Sequence, residues 1–174
     1  MPTVDLRDLR RSGRLELDAS VPVDAPLWRG TGLALGAPVR LVATVTGSAS
    51  GQVALSGRAS ARFSHECRRC LAPLEAALEQ PLEVLWWPCT AATGDPGEEA
   101  DGDVRILEPG ATEIDVGEAL REELVLAAPS YMVCGEGCRG LCPHCGTDLN
   151  EAMCNCAPHE PDPRWDVLRA LNRK

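Results

Sequence analysis

Four close pairs of cysteines constrain the fold of this chain more than any other feature of its sequence. Zinc favours four thiolates in a tetrahedron, and two cysteines that flank a short turn can bind the same ion. The paired thiols therefore predict two structural zinc ions, each bound by four cysteines. The predicted ligands are Cys67, Cys70, Cys134, Cys138, Cys142, Cys145, Cys154 and Cys156.

The positions of the pairs favour one assignment of ligands. The last two pairs both lie within residues 142–156, so one site can close there at little cost in chain entropy. The pairs in 67–70 and 134–138 then form a second site, which joins distant parts of the chain. A rival assignment combines the pairs in 134–145 and leaves the pair in 67–70 without metal. Cys89 belongs to none of the four pairs. Iron can occupy the same thiolate tetrahedron as zinc, so the spacing does not select between the two metals.

Disulfides and thiol-redox chemistry are the competing interpretations of these cysteines. Charged residues follow Met1 without an apolar run, so no secretory signal is predicted, and we expect a cytoplasmic protein in which disulfides are rare. Cys142-Pro-His-Cys145 resembles a redox-active pair, but such pairs usually begin a helix, and Gly146 disfavours a helix here. A thiol-redox or metal-transfer protein is the alternative function.

Alternating apolar and polar residues predict a mostly antiparallel β-sheet with one face in water. The alternation covers residues 15–19, 39–46, 53–64 and 74–87, and a further short strand is predicted at 104–107. Pro81 removes a hydrogen-bond donor from its strand, which predicts either an edge position or a bulge.

Two helices are predicted to accompany the sheet. Asp115 is the expected N-cap of the first helix, and Pro129 ends it. Asp162, which precedes a proline at the first helical position, begins the second helix. The predicted fold class is therefore α+β, with a mostly antiparallel β-sheet, two helices and a C-terminal cysteine-rich zinc-binding region.

The domain boundary is expected near residue 130. A β-rich domain is predicted over residues 1–130, with an acidic loop at 88–108 and one helix. A zinc-knuckle region is predicted over residues 131–174, with the C-terminal helix packed on it. The formal net charge of the chain is −9, and its acidic residues concentrate in the loop and the helix that follows. Such a segment favours a basic protein partner, and the alternative is a solvated loop that only aids solubility.

Basic residues near the cysteine pairs and at the C-terminus form a candidate RNA-binding surface. Zinc knuckles that present basic side chains recur in RNA-binding modules. The alternative is that the arginines within the pairs only neutralise the thiolate clusters. The candidate residues are Arg68, Arg69, Arg139, Arg164, Arg169, Arg173 and Lys174.

The sequence argues against an enzyme. Sites made of four thiolates leave no open position for water, so they are structural. We find no paired carboxylates, no Ser-His-Asp order and no phosphate-binding glycine loop. A zinc-dependent RNA-processing enzyme, a third possibility, needs a site with fewer than four protein ligands. No apolar run approaches the roughly 20 residues that span a bilayer, so a membrane is not an expected partner. Because no enzyme is expected, a small-molecule substrate is not expected either.

Four motifs occur in the order that a known family shows. They are Cys67-Arg-Arg-Cys70-Leu71, Glu113-Ile-Asp-Val116, Cys138-Arg-Gly-Leu-Cys142-Pro-His-Cys145-Gly-Thr-Asp-Leu-Asn150 and Asp162-Pro-Arg-Trp165. Together they resemble the YceD family, the large ribosomal RNA subunit accumulation proteins, formerly a domain of unknown function. The resemblance implies a bacterial or organellar protein that supports synthesis, processing or stability of large-subunit ribosomal RNA, without known catalytic activity. The expected partners are then this RNA or its precursor particle, and a basic ribosomal protein at the acidic loop.

Overall fold

The computed structural model describes residues 1–88, 103–156 and 164, and it has the predicted α+β architecture. A single 3-10 turn lies between the second and third strands of the described chain. The elements in chain order are β1 (Thr3–Asp5), α1 (Leu6–Ser12), β2 (Arg14–Val21), the 3-10 turn (Pro26–Trp28), β3 (Val39–Gly47), β4 (Val53–Glu66), β5 (Pro73–Pro88), β6 (Asp103–Leu107), β7 (Glu113–Asp115) and α2 (Val116–Ala127).

A five-stranded sheet with the order β2-β3-β4-β5-β6 forms the centre of the fold. The pairs β2–β3, β3–β4 and β4–β5 are antiparallel, and β6 is parallel to β5, so the sheet is mixed but mostly antiparallel. Strands β1 and β7 form a separate antiparallel pair. The strand at 104–107 is confirmed as β6, so residues 103–107 of the expected acidic loop are strand.

The alternation in the sequence corresponds to the two faces of the sheet. Apolar residues at every second position of β3 and β4 are buried, whereas the residues between them are largely exposed. Helix α2 contributes to the same core, where Leu120 and Leu124 have no exposed surface. The buried residues of β3 and β4 are Val39, Leu41, Ala43, Val45, Val53, Leu55, Ala59, Ala61 and Phe63.

Pro81 lies at an edge of the sheet and causes no bulge. The β4–β5 register runs without interruption from Val53↔Trp86 to Glu66↔Pro73 and pairs Arg58 with Pro81. Strand β6 pairs only with residues 84–88 of β5, so the outer side of β5 at Pro81 has no strand partner within the described ranges. No hydrogen-bond donor is therefore needed on the outer side of β5 at Pro81.

Helix α1 is an element that the sequence analysis missed. Asp5 caps it, because its carboxylate accepts a hydrogen bond from Arg7 N at 2.7 Å. Gly13 ends it with φ of 72° and donates its N–H to Leu9 O at 2.7 Å. Leu6 and Leu9 are buried. These features were visible in the sequence as an aspartate cap, two leucines three residues apart and a terminal glycine.

Helix α2 begins and ends as predicted. The Asp115 carboxylate accepts a hydrogen bond from Gly117 N at 2.8 Å, and the helix ends at Ala127, two residues before Pro129. The predicted C-terminal helix that starts at Asp162 lies outside the described residues. The same holds for Cys89 and for residues 89–102 of the acidic loop.

The chain divides into two compact units. Unit 1 consists of residues 1–66 and 73–132, and it contains both sheets and both described helices. Unit 2 consists of residues 67–72 and 133–174, so the turn between β4 and β5 belongs with the cysteine-rich region. None of the helices in the described ranges is long and apolar enough to cross a membrane.

Candidate metal centre

The cysteine pair in the β4–β5 connection lies in a hydrogen-bonded turn. Cys67 N donates to Ala72 O at 2.8 Å, and Leu71 N donates back to Cys67 O at 2.9 Å. Leu71 has φ of 61°, a left-handed conformation that is unusual for leucine. This turn brings the thiols of Cys67 and Cys70 to one side, where both can bind the same metal ion.

The second C-x-x-C turn has the same hydrogen-bond pattern. Cys142 N donates to Thr147 O at 2.8 Å, and Gly146 N donates to Cys142 O at 2.9 Å. Gly146 has φ of 74° and occupies the position that Leu71 occupies in the first turn. Glycine is the residue that adopts this conformation without steric cost. Two sequences that share little besides their cysteines therefore form one local structure.

The thiols of the described chain fall into two groups of four. In each group the sulfur atoms all lie within 4.8 Å of one another. The eight cysteines within the described residues are all free thiols. Site A is the group Cys67, Cys70, Cys134 and Cys138, and site B is the group Cys142, Cys145, Cys154 and Cys156. This grouping is the assignment that the spacing of the pairs favours, and it differs from the rival combination of the pairs in 134–145.

The dimensions of site A fit a tetrahedral thiolate site. The Sγ atoms of Cys67 and Cys138 are 3.8 Å apart, and those of Cys70 and Cys134 are 3.7 Å apart. A tetrahedron with zinc–sulfur bonds of about 2.3 Å has edges of about 3.8 Å. A disulfide needs a sulfur–sulfur distance of about 2.05 Å. Site A can therefore hold a metal ion with little movement of its sulfur atoms.

Gly140 lets the two parts of site A come together. Leu141 N donates to Arg69 O at 2.9 Å, which places the chain after Cys138 against the first turn. Gly140 has φ of 73°, and a Cβ atom at this position would lie 2.9 Å from Arg69 O. Only glycine satisfies both the backbone angle and the close approach.

The candidate RNA-binding arginines have different environments. Arg69 Nη1 donates to the carbonyls of Cys138 at 3.0 Å and Glu136 at 3.3 Å, so this side chain holds the loop of site A. Arg68 and Arg139 are exposed, and the Arg139 side chain makes no hydrogen bond within the described residues. Arg164 is exposed as well. The remaining candidates, Arg169, Arg173 and Lys174, lie outside the described residues.

The thiols of site A have pKa values shifted in opposite directions. Burial disfavours the Cys67 thiolate, but hydrogen bonds from the backbone N–H groups of Cys70, Arg69 and Cys134 outweigh it and lower the pKa of Cys67 to about 6. Interactions with the thiols of Cys138 and Cys70 raise the pKa of Cys134 to about 12. Four crowded thiolates repel one another, so a bound cation is needed to keep all of them ionised.

The thiols of site B also have pKa values shifted in opposite directions. The Thr147 hydroxyl, 3.2 Å from Cys145 Sγ, and the Thr147 backbone N–H lower the pKa of Cys145 to about 6. The neighbouring thiols of Cys145 and Cys142 raise the pKa of Cys156 to about 12. Cys145 and Cys156 are exposed in site B, whereas Cys134 is the exposed ligand of site A.

Two residues that the sequence analysis did not assign to the sites contact sulfur atoms. Thr147 contacts Cys145, as described above. Asn150 Nδ2 donates to Cys138 Sγ at 3.5 Å, although Asn150 belongs to the loop of site B. Both residues lie in the string from Cys138 to Asn150 that carries the family resemblance, and this position was the signal available in the sequence.

Comparisons with known proteins agree with this resemblance. A family model described as "Large ribosomal RNA subunit accumulation protein YceD" matches residues 55–172. An uncharacterized protein of Mycobacterium tuberculosis is 33% identical over 122 residues, which cover 70% of this chain and 56% of that protein. No solved structure matches this chain.

Two plant proteins match a shorter part of the chain. Both are named "Large ribosomal RNA subunit accumulation protein YCED homolog 1, chloroplastic". The protein of Arabidopsis thaliana is 30% identical over 66 residues, 38% of this chain and 21% of that protein. The protein of Zea mays is 36% identical over 70 residues, 39% of this chain and 24% of that protein. The chain thus spans about half the length of the mycobacterial relative and a smaller share of the plant relatives.

Proposed function

Because the chain belongs to the YceD family, we propose that it is a non-enzymatic factor that supports the accumulation of large-subunit ribosomal RNA. Its unit 2 is a scaffold held together by two zinc ions. This scaffold presents arginines to the RNA or to a precursor particle of the large subunit. The names of the plant relatives support the link to this RNA.

The type and number of ligands in the two sites support the proposal that the metal is structural. Each site offers four thiols and no carboxylate, imidazole or open position within the described residues. Zinc with four thiolates stabilises a fold and has no coordination position left for substrate. The test is elemental analysis of natively purified protein, which should contain two zinc ions per chain. Protein that is free of metal and stays folded in a strong chelator contradicts the proposal.

Arg139 is the side chain best placed to contact RNA. It is exposed, follows the site A ligand Cys138, and makes no side-chain hydrogen bond within the described residues, whereas Arg69 is engaged with two backbone carbonyls. An arginine that neutralises one phosphate adds to the salt dependence of binding. Replacing Arg69 tests folding as much as binding, so Arg139 is the position to change.

The matching experiment is retention of precursor large-subunit RNA by immobilised full-length chain at increasing salt. Arg139→Ala should weaken retention and reduce the slope of log affinity against log salt by about 1. The control is Arg62→Ala on the exposed face of β4, where the arginine makes no ion pair within the described residues. Equal retention of both variants and the unmodified chain contradicts RNA contact by Arg139.

The acidic part of unit 1 supports a second contact, with a basic ribosomal protein. A concavity of about 450 Å³ is lined by carboxylates of the segment that follows residue 102, together with Arg105 and the half-exposed Ile106. Negative potential in a concave site attracts lysine and arginine side chains. The lining carboxylates are Glu108, Glu113, Asp115 and Glu118.

This contact is tested by crosslinking the chain to purified large-subunit proteins. Glu113→Gln combined with Glu118→Gln should lower the yield of crosslinks to basic proteins. The control combines Glu75→Gln with Glu79→Gln, which removes the same charge from the exposed face of β5. An equal loss in both variants indicates a general charge effect and contradicts a specific acidic contact.

A thiol-redox protein is the alternative function. The observation that favours it is the exposed Cys145, whose pKa is lowered to about 6 by Thr147. A low pKa and exposure are properties of an attacking thiolate. Titration with a thiol reagent separates the two functions, because tightly bound zinc protects eight thiols, whereas a redox protein yields a readily oxidised pair.

A further inference from the structure

Asn150 connects the two metal sites. It lies between Cys145 and Cys154, so an ion bound by both cysteines would close the loop that carries it. Its side chain nevertheless contacts site A, since Nδ2 donates to Cys138 Sγ at 3.5 Å. Its Oδ1 atom accepts a hydrogen bond from Arg139 N, next to that ligand, at 2.8 Å.

Further hydrogen bonds hold Asn150 in this position. Its backbone N and its Nδ2 donate to Asp148 Oδ1 at 2.8 and 2.7 Å, which fixes the side chain against its own turn. Leu149 N donates to Gly140 O at 2.9 Å, and Leu141 and Asp148 form an antiparallel bridge. The loop of site B therefore runs alongside the segment that connects site A to site B.

We propose that Asn150 couples the two sites, so that a metal ion in site B raises the affinity of site A for its own ion. The inference rests on the proposed function in that both sites bind metal. A metal ion in site B fixes the ends of the loop at Cys145 and Cys154 and orders Asn150. The ordered amide then donates to the Cys138 thiolate, which stabilises its charge and orients it toward the metal. Contacts of this kind around metal ligands change metal affinity by about 10–100-fold.

The coupling acts in both directions. Linkage requires that an ion in site A raises the affinity of site B by the same factor. The chain should therefore take up its two ions together, with few singly loaded molecules at intermediate metal concentrations. A chain with an ion in only one of the two sites is then a minor species.

The experiment measures affinity for Co²⁺, a spectroscopic stand-in for zinc, in the full-length chain. The overall constant for two ions is divided by the product of the two single-site constants. Site A alone is measured in Cys145→Ser/Cys156→Ser, and site B alone in Cys67→Ser/Cys134→Ser, so Cys138 and Asn150 are retained in both. The ratio of constants is the coupling factor, and circular dichroism of the sheet checks that each variant is folded.

The expected coupling factor is about tenfold or more, within the usual range of about 5–150-fold. Asn150→Ala, placed in all three backgrounds, should reduce it to near unity. Asn150→Asp keeps the acceptor for Arg139 N but places a carboxylate beside the Cys138 thiolate, so it should bind metal in site A more weakly than Asn150→Ala. The control is Asn155→Ala, which alters an exposed asparagine between two ligands of site B and should leave the factor unchanged.

The outcomes separate this inference from the proposed function. A coupling factor of unity in the unmodified chain overturns the coupling. A factor that Asn150→Ala leaves unchanged overturns the role of Asn150 in it, and two metal sites stand in both cases. An unmodified chain that binds fewer than two Co²⁺ ions overturns the metal proposal and the coupling with it.

Discussion

Sites A and B each contain one C-x-x-C turn and four cysteine thiols, but they differ in the length of chain that separates their ligands. Site B closes within residues 142–156, whereas in site A Cys134 lies 64 positions after Cys70 in the sequence. Three of the four ligands of site A are buried, whereas only Cys142 is buried in site B. The same set of four thiols therefore occurs in two settings: site A brings together remote segments, and site B lies within one local loop.

The difference shows which properties of a metal site belong to its ligands and which belong to its surroundings. The ligands determine the geometry and the preferred ion. The length of chain between ligands determines how much entropy the bound ion removes from the unfolded state. Burial determines access of water, chelators and oxidants. Sites A and B should thus differ in stability and lability.

The largest expected difference is the cost of losing a ligand. Cys138→Ser removes site A, and Cys156→Ser removes site B. The longer loop makes site A more stabilising by about 1.5 kcal/mol, since each doubling of loop length adds about 0.6 kcal/mol. For a chain of this size, Cys138→Ser should lower the melting temperature by about 3–6 °C more than Cys156→Ser does. Thermal unfolding followed by circular dichroism of zinc-loaded protein measures this, and an equal or opposite order contradicts the comparison.

The second expected difference is the rate at which the sites lose metal. Cys145 and Cys156 are exposed, so a chelator can displace the thiolates of site B first. Release of zinc into excess chelator, which is measured far from equilibrium, should occur in two kinetic phases of equal amplitude. The fast phase should be absent in Cys145→Ser/Cys156→Ser protein, while the slow phase persists there. A fast phase that persists in this variant shows that site A is the labile one.

Gly140 and Gly146, which both have left-handed conformations, sharpen the comparison. A Cβ atom at Gly140 would meet Arg69 O, whereas none of the atoms described lies within 4 Å of one at Gly146. Gly140→Ala should destabilise the protein by about 2–4 kcal/mol, because backbone strain and overpacking add. Gly146→Ala should cost only about 1 kcal/mol for the left-handed conformation. Denaturant unfolding at fixed zinc concentration compares them, and equal losses mean that close packing at Arg69 is unimportant.

The smallest expected effect concerns Leu71. This residue has the same left-handed conformation as Gly146 but is 56% exposed, so its side chain adds little burial. Leu71→Gly should stabilise the chain by about 0.5 kcal/mol, because relief of strain exceeds the entropy that glycine adds to the unfolded state. Leu71→Ala retains the Cβ atom and should give no gain. If the alanine variant is the more stable one in denaturant, strain at this turn is absent.

Much of the fold could be predicted because it depends on local patterns. Alternating residues indicated β2 to β5, and the Asp115 cap and Pro129 delimited α2. Helix α1 was missed because its seven residues carry mostly charged side chains, and only the burial of Leu6 and Leu9 stabilises so short a helix. Pro81 was assigned either an edge or a bulge, and the shortness of β6 leaves it at an edge.

The candidate site divides in the same way. The cysteine spacing by itself determined that two four-thiol sites are possible and that two of the four pairs form C-x-x-C turns, because each pair is local in sequence. Only the tertiary structure decided which pairs join and that Asn150 contacts a sulfur atom of the other site. It also decided that Arg69 supports the loop of site A. These contacts connect residues far apart in the chain or in different sites, and their geometry depends on how the intervening segments fold.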